Sequence, residues 1–495
     1  MTATRRVLVI TSGPLSRNPS PWKEPLTLSA AGAFVFAVLL AACTYREGRL
    51  LTFDGYHYCE LAKQFTTGWP DRFGNHWPFG YPLAGALLAR LGLPAYESLV
   101  VISCVALFLL LALAAHILAT QPLRWMALAA FAAAPIVPTQ LFGILTELPF
   151  ATTLLGLAFC LSRWPAREAL WGAAACVVLA LTVRYAGVIA FAVLGTWTIF
   201  CWSELRAAGR RREAVVAGLL ALAVAGALLA LNVLKSGHAS GAGRGGAPGL
   251  GALPAELADF GWSVPSALIA GGVRDFVEVG GTFGRMIGGI IFGAIAGLCG
   301  WAWLRPRSPF SRPLALSAFG YAAGMAVLHC VGDFDSLYGA RTFLPALVPL
   351  GLLVVERLDY RRFWIGLGCG AVVAAGMVAS VRGISREIGG DVRAAVAPLR
   401  ARLLPRDTVA INDHAFSLSA YLPQRTSRVW AEYWRDDFPE RFVIISGKPL
   451  NRSGTEAALP AAWAQLCARL VASGRYGYVV ESPALILLEK KPAAP

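Results

Sequence analysis

The stretch LTFDGYHYCELAKQFTTGWPDRFGNHWPFGYP, residues 51–82, is the first long polar break in a chain dominated by apolar runs. Its charged and aromatic side chains are crowded together, and Asp54, His57 and Glu60 recur at the three-residue spacing of a single helix face. Several prolines and glycines in the second half of the stretch favour an irregular path after that helix. A loop with this composition beside a membrane is a candidate site of catalysis.

The composition of the whole chain is that of a membrane protein. Of 495 residues, 56% are hydrophobic and only 15% are charged, and the mean hydropathy is +0.58. The core of a soluble protein of this length is too small to bury so many apolar side chains. The formal net charge of +15 would suit nucleic acid, but the arginines cluster between apolar runs, as expected of cytoplasmic loops. The ten cysteines lie mostly inside apolar runs and lack metal-ligand spacing. We therefore predict a polytopic α-helical membrane protein with no nucleic-acid partner.

The apolar runs predict about eleven membrane crossings. With the N-terminus inside, every inner connection is basic, and the loops rich in polar and aromatic residues all fall on the outer side. The stretch 169–202 would be roughly 50 Å long as one helix, so it is divided at Arg184. Residues 80–92 are predicted to form a further short or interfacial helix. The predicted crossings are 26–43, 98–119, 124–140, 148–163, 169–183, 186–202, 213–234, 283–304, 313–330, 341–356 and 363–381.

These features divide the chain into three parts. Residues 1–25 form a basic cytoplasmic segment, and residues 26–382 form the transmembrane domain, whose first outer loop spans residues 44–97. Residues 383–495 have the composition of a small α/β domain, which the topology places outside the membrane. We predict its strands at 407–413, 441–446, 476–482 and 484–491, and its helices at 386–403 and 455–473.

Asp54 has competing interpretations. A carboxylate just outside a membrane helix, close to Tyr56 and Tyr58, suits a general base that takes a proton from an acceptor hydroxyl or amine. Asp54 also precedes a predicted helix, where aspartate is favoured as the N-cap. Together with His57 and Glu60 it would supply three ligands to a divalent ion, although a solvated helix face shows the same pattern.

Three further charges lie at the outer edge of the predicted membrane. Glu147 stands between two apolar runs, where an acid is costly unless paired or used, so it is either a second acid of the site or the partner of Arg184. Arg184 and Arg341 run against the orientation rule and need anions. Asp333 and Asp335 are the internal candidates, and the phosphate of a lipid carrier is the external one.

Five motifs lie at the outer ends of the predicted helices, and together they resemble the GT-C superfamily of integral-membrane glycosyltransferases. The likeness is to bacterial relatives of the aminoarabinose lipid A transferase and to the protein O-mannosyltransferases. A small outer domain at the C-terminus also fits that superfamily. The motifs are FDGYHYCELAKQF (53–65), WPFGYPLAGALLARLG (77–92), TELPF (146–150), LTVRYAGVIAF (181–191) and YGARTFLPALVPL (338–350).

The resemblance implies transfer of a sugar, with inversion, from a polyprenyl-phosphate donor to an envelope lipid, glycan or protein acceptor. It assigns the catalytic base to Asp54, and it implies a cavity acid at Glu147 and a phosphate contact at Arg341. The enzyme would be a multi-pass protein of the bacterial inner membrane, with its active site and C-terminal domain on the periplasmic side. No cofactor is assigned, and a requirement for a divalent cation stays open. The predicted substrate-binding residues are Tyr56, His57, Glu60, Lys63, Glu147, Arg184, Tyr185, Tyr338 and Arg341.

The main alternative is a flippase or transporter of lipid-linked sugars, in which intramembrane charges line a pathway. The sequence disfavours it, because we find no internal hydropathy repeat and few charges in the middle of the apolar runs. A third class is a scaffold that binds envelope polymers. It leaves the crowded first outer loop unexplained.

Overall fold

The computed structural model describes residues 25–44, 52–68, 78–121, 124–134, 136–236, 249–269, 281–331, 340–357, 402–404, 406–429, 438–446, 461–481 and 485–491, and the single residues 370 and 399. Over these residues the chain is helical as far as residue 357 and forms a small sheet after residue 407. The predicted class, a mostly helical chain with a small C-terminal α/β part, is confirmed.

The helices coincide with the apolar runs, because a chain segment without water must satisfy its backbone hydrogen bonds internally. The predicted crossing at 363–381 and the predicted helix at 386–403 lie almost wholly outside the described residues. The helices are α1 (Pro25–Thr44), α2 (Phe53–Thr67), α3 (Gly80–Ala89), α4 (Ala95–Ile117), α5 (Arg124–Ala132), α6 (Ile136–Phe142), α7 (Glu147–Ser162), α8 (Arg167–Val183), α9 (Val188–Phe200), α10 (Trp202–Ala207), α11 (Arg211–Ser236), α12 (Leu253–Ile269), α13 (Gly281–Leu304), α14 (Ser311–Val331), α15 (Leu344–Arg357) and α16 (Ala461–Ala472).

Within the described ranges, four helices are long and apolar enough to cross a membrane: α4, α11, α13 and α14. The chain is therefore a multi-pass membrane protein. Shorter apolar helices, among them α1, α3 and α7, accompany them. The total of eleven crossings stays a prediction.

The apolar run at 124–140 forms a bent pair rather than one straight helix. α5 and α6 meet at an angle of 55° across a short break. The sequence places Pro135 at this break and Pro138 just beyond it. Proline lacks a backbone N–H and disfavours helical conformation in the residue before it, so the run is interrupted here.

Glycines allow α12 and α13 to approach closely. A Cβ atom added at Gly288 of α13 would overlap the carbonyl oxygen of Ala258 on α12, and one added at Gly261 would overlap the carbonyl oxygen of Gly288. Close backbone approach gains dispersion contacts, which matter where lipid provides no hydrophobic driving force between helices.

α7 and α8 pack through a reciprocal pair of glycines and cysteines. A Cβ atom at Gly172 would lie 2.8 Å from Cys160 Sγ, and one at Gly156 would lie 3.2 Å from Cys176 Sγ. Both cysteines are free thiols. They act here as the small apolar residues that their positions in the sequence predict.

Arginines close the ends of α13 and α15. Arg312 Nε donates to the carbonyl oxygen of Trp303 (3.0 Å), and Arg357 Nη2 donates to that of Arg305 (2.7 Å). Arg307 Nη1 donates to the carbonyl oxygen of Arg357 (3.2 Å). The last carbonyls of a helix have no intrahelical donor, so these arginines serve as C-caps. The basic clusters that predict the inner side are thus also part of the packing.

The C-terminal part is a five-stranded mixed sheet in the order β2-β1-β3-β5-β4. β2, β1 and β3 are parallel, whereas β3, β5 and β4 are antiparallel. Each of the four predicted strands is present. The fifth, β2, escapes prediction because its sequence RTSRV is mostly polar. The strands are β1 (Thr408–Asn412), β2 (Arg425–Val429), β3 (Phe442–Ser446), β4 (Tyr476–Glu481) and β5 (Leu485–Lys490).

This sheet packs on the helix of the first predicted outer loop. α2 and the sheet share one buried apolar cluster, to which a 3₁₀ helix between β1 and β2 also contributes. The contact ties the two ends of the chain together at α2. The side chains of the cluster include Tyr56, Tyr58, Cys59 and Ala62 from α2 and Val409, Ile411, Leu418, Tyr421, Phe442 and Leu487 from the C-terminal part.

We expect Gly288→Ala to destabilise the protein strongly, because the new methyl group would overlap the backbone of α12. Overpacking typically costs about 1–3 kcal/mol, and overlap with rigid backbone belongs at the upper end. Gly289→Ala is the matched control, since a Cβ atom there meets nothing within 4 Å. Thermal unfolding of both variants in detergent tests this. Equal melting temperatures would show that α12 and α13 do not pack through Gly288.

Candidate active site

The N-terminus of α2 is fixed by Thr52. Thr52 Oγ1 accepts a hydrogen bond from the backbone N–H of Gly55 (3.0 Å), which makes Thr52 the N-cap. The interpretation of Asp54 as the N-cap is therefore wrong. Asp54 lies in the first turn, half-buried, where the helix dipole favours a carboxylate.

The turn before α7 is held against α2. Thr52 Oγ1 also donates to the carbonyl oxygen of Gly143 (2.8 Å), and the Tyr96 hydroxyl donates to that of Phe142 (2.7 Å). Between them and α7 lies Ile144, which is fully buried and has φ of +53°. A β-branched residue in this region is strained, and such strain persists only where the surroundings enforce it. The enforced turn brings the start of α7 next to the start of α2.

Glu147, the first residue of α7, forms an ion pair with Arg184. Glu147 Oε1 lies 2.5 Å from Arg184 Nη1, and the side chains are 2% and 21% exposed respectively. The Thr146 hydroxyl accepts a second, longer hydrogen bond from Arg184 Nη1 (3.4 Å). Burial lowers the pKa of Arg184 and the Glu147 carboxylate raises it, with a net upward direction. Arg184 is thus a permanent cation with part of its surface open.

The position of Arg184 depends on how the chain leaves α8. Arg184 is extended, with φ of −147° and ψ of 141°, and a short 3₁₀ helix (Tyr185–Gly187) follows. A Cβ atom at Gly187 would overlap the backbone of Leu181, so glycine allows the chain to fold back on α8. The long apolar stretch is interrupted where its sequence predicts, at Arg184.

Tyr58 links Asp54 with the ion pair. Its hydroxyl lies 3.3 Å from Thr146 Oγ1. Burial raises the pKa of the Tyr58 hydroxyl, the charges of Asp54 and Glu147 raise it further, and Arg184 lowers it. These three charges therefore act on one hydroxyl group. Asp54, Glu147 and Arg184, distant in sequence, belong to a single cluster.

A second tyrosine approaches the cluster from α14. Tyr321 is fully buried, and its hydroxyl interacts electrostatically with Arg184. It donates to the carbonyl oxygen of Thr342 (2.9 Å), in the 3₁₀ helix Ala340–Phe343. The backbone around Arg341 is thereby brought towards Arg184. The Arg341 side chain, and the residues Tyr338, Asp333 and Asp335, lie outside the described residues.

Glu60 and Lys63 are buried between α2 and the C-terminal part. Lys63 Nζ lies 2.7 Å from Glu60 Oε1 and donates to the carbonyl oxygens of Ser419 (3.0 Å) and Gln424 (2.9 Å). Glu60 accepts from the Ser419 hydroxyl and from the backbone N–H of Thr426 (2.7 Å). Both residues are predicted substrate ligands, but the structure places them in the domain contact and not beside Glu147.

The other predicted ligands border these two groups. The Tyr56 hydroxyl reaches the carbonyl oxygen of Thr426 (3.5 Å), and its ring stands edge-on to His57 (4.9 Å between centroids). Tyr185 follows Arg184, and its hydroxyl accepts from Asn232 Nδ2 (3.1 Å). No three His, Cys, Asp or Glu side chains among the described residues converge as metal ligands. With Glu60 turned to the C-terminal part, the set Asp54, His57 and Glu60 is not gathered around an ion.

Sequence reasoning missed Thr52, Thr146 and Tyr321. Thr52 carries a usable signal, because a threonine directly before a helix is a preferred N-cap. Thr146 precedes Glu147 and would be found by the same rule at α7, although its side chain makes no capping bond. Tyr321 lies inside an apolar run and has no local signal.

The sequence matches no family model and no curated protein. The fold, in contrast, matches solved structures of ArnT from Cupriavidus metallidurans. The structure bound to undecaprenyl phosphate gives a TM-score of 0.60 at 12% identity, over 94% of this chain and 98% of that chain. The apo structure gives 0.58 at 13% identity, over 93% and 98%. This chain has a GT-C fold. The resemblance to the GT-C superfamily is thus confirmed at the level of the fold.

We expect Lys63→Met to destabilise this GT-C fold by about 3–5 kcal/mol, because it leaves the Glu60 carboxylate buried without its cation. Adding Glu60→Gln removes the stranded charge and should recover most of the loss. Arg402→Gln is the control, since it breaks an exposed pair with Glu489 and should change stability by less than about 1 kcal/mol. Denaturant unfolding in detergent distinguishes these outcomes. An effect of Lys63→Met no larger than that of the control would contradict the buried network.

Proposed function

We propose that this chain is a membrane glycosyltransferase that moves a sugar from a polyprenyl-phosphate donor to an acceptor. The observation that carries the proposal is the cluster at the start of α2 and α7, in which Asp54, Glu147 and Arg184 all act electrostatically on the Tyr58 hydroxyl and Glu147 pairs with Arg184. The match to ArnT, a protein whose structure holds undecaprenyl phosphate, supports the donor class. Flippase activity is the competing outcome of the test below.

Asp54 acts as the general base in this proposal. Its carboxylate takes the proton from the acceptor hydroxyl or amine as the acceptor oxygen or nitrogen bonds to the anomeric carbon of the sugar. The bond from that carbon to the phosphate oxygen breaks, and its electron pair leaves with the polyprenyl phosphate. Attack from the side opposite the phosphate inverts the anomeric centre.

Arg184 stabilises the leaving phosphate. Its guanidinium carries five N–H donors, and the contacts to Glu147 and Thr146 both use Nη1. A partly exposed, permanently charged fork suits a phosphate that gains negative charge as the bond breaks. Glu147 then serves to hold the guanidinium in place. The other proposed substrate contacts are Arg341, Tyr338, Tyr185, Tyr56 and His57. Glu60 and Lys63 contribute indirectly, because they fix the position of α2.

The proposed location is the bacterial inner membrane, with the active site and the C-terminal part on the periplasmic side. The basic inner connections of the sequence support this orientation. The acceptor is an envelope lipid, glycan or protein, and no cofactor is assigned.

We expect Asp54→Asn to fold and bind the donor while its transfer rate falls by about 10²–10⁴, the range attributed to a general base. Proteoliposomes with radiolabelled polyprenyl-phosphate sugars and an envelope lipid extract provide the measurement. Asp259→Asn is the control, because this acid pairs with the exposed Arg285 on α13. Undiminished transfer by Asp54→Asn would remove its role as base. Label that crosses the bilayer without transfer, equally in wild type and variant, would instead indicate a flippase.

Two variants separate the proposed phosphate-binding role of Arg184 from its structural role as the partner of Glu147. Arg184→Gln strands the Glu147 carboxylate, so both stability and affinity for undecaprenyl phosphate should fall, the affinity about tenfold or more. Combining Arg184→Gln with Glu147→Gln should restore the melting temperature but not the affinity. If the double variant binds undecaprenyl phosphate like wild type, Arg184 is only the partner of Glu147.

A further inference from the structure

Gln140 is a buried amide without hydrogen-bond partners. Its side chain is 0% exposed, and neither Nε2 nor Oε1 has a partner among the described residues. Burying an unpaired amide costs about 1–3 kcal/mol by protein mutational data. Leucine or methionine would fill the same space at no such cost. Packing alone therefore does not explain why an amide occupies this position.

Gln140 is joined to the turn that carries the site. It lies on α6, and its own carbonyl oxygen accepts a hydrogen bond from the backbone N–H of Leu145 (3.4 Å), between Ile144 and Thr146. α6 also contacts α7 and the 3₁₀ helix Ala340–Phe343. These elements bear Glu147 and the carbonyl group that binds Tyr321. Gln140 therefore lies on a helix that contacts both of these elements of the cluster.

The turn that follows Gln140 is well hydrogen-bonded. The carbonyl oxygens of Phe142 and Gly143 accept from Tyr96 and Thr52. Thr146 contacts Tyr58 and Arg184, as described above. In a turn this well bonded, Gln140 contributes two donors and one acceptor that remain for something else.

We propose that the Gln140 amide recognises hydroxyl groups of the sugar that is transferred. This inference rests on the proposed function and deepens it. A sugar ring offers neighbouring hydroxyls, each a donor and an acceptor, and an amide pairs with such a set through its N–H and C=O groups together. The phosphate of the donor is anionic and is served by Arg184. Gln140 therefore determines specificity for the sugar and not for the lipid carrier.

Gln140→Met keeps the length and volume of the side chain and removes both polar atoms. We expect the variant without lipid to melt at the same temperature as wild type or above it, because an unpaired amide is lost. Its Kd for undecaprenyl phosphate should be unchanged. Its Kd for the undecaprenyl-phosphate pentose or hexose that binds wild type best should rise at least about tenfold, the equivalent of one or two lost hydrogen bonds.

Trp197→Phe is the matched control, since Trp197 Nε1 is also buried without a hydrogen-bond partner among the described residues but lies far along α9. It should affect neither Kd. A second variant, Gln140→Glu, keeps the shape and removes the donors, and it should discriminate against the glycosylated lipid as Gln140→Met does.

Three results overturn the inference. These are equal Kd values of wild type and Gln140→Met for the glycosylated lipid, equal weakening for both lipids, or unfolding of both Gln140 variants. The first would leave a buried water as the partner of the amide, and the others a packing role. Binding is measured directly, so a failure of wild type to transfer sugar would contradict the proposed function without deciding the role of Gln140.

Discussion

The placement of α2 depends on two buried charges. Lys63 and Glu60 are removed from water between α2 and the C-terminal part, where every polar atom must be matched by a partner. Those partners come from the connection between β1 and β2 and from the start of β2, and they are Ser419, Gln424 and Thr426. If α2 slid or rotated against the C-terminal part, Lys63 or Glu60 would lose its partners. A purely apolar contact would tolerate the same shift. The ion pair therefore selects one orientation of α2, and with it the direction of the helix that carries the proposed base.

The two ends of α2 are fixed by different means. At the C-terminus, Arg90 donates to the carbonyl oxygen of Phe65 (3.0 Å), and Arg425 contacts Thr67. Cations at this end also complement the helix dipole. At the N-terminus, the double use of the Thr52 hydroxyl joins the helix to the turn before α7. Rigid attachment at both ends suits a helix whose first turn must hold a carboxylate within reach of a substrate.

Much of this architecture can be predicted from sequence, and the failures have physical causes. Helices in apolar surroundings follow hydropathy, so the runs before residue 357 and the interruption at Arg184 are predictable. The pairing of Glu147 with Arg184 follows from the expense of a lone acid at a membrane edge, and it was one of the alternatives that the sequence left open. The role of Glu60 and Lys63 is not predictable, because helical spacing shows which face they share but not what covers it. β2 is missed because its polar residues are compatible with a strand only once β1 lies beside it.

The site arises where three local constraints meet. Proline interrupts the apolar run before α6, and after α6 the chain turns through the strained Ile144 into α7. Gly187 lets the chain fold back after Arg184, and this places the Arg184 guanidinium beside Glu147. Neither feature stabilises the fold by itself, since an uninterrupted helix would satisfy more backbone bonds. Together they place Glu147 and Arg184 where the two charges neutralise each other, with Thr146 and Tyr58 contributing hydrogen bonds. A cluster built in this way is fixed before any substrate arrives, which is the condition for electrostatic stabilisation of a leaving phosphate.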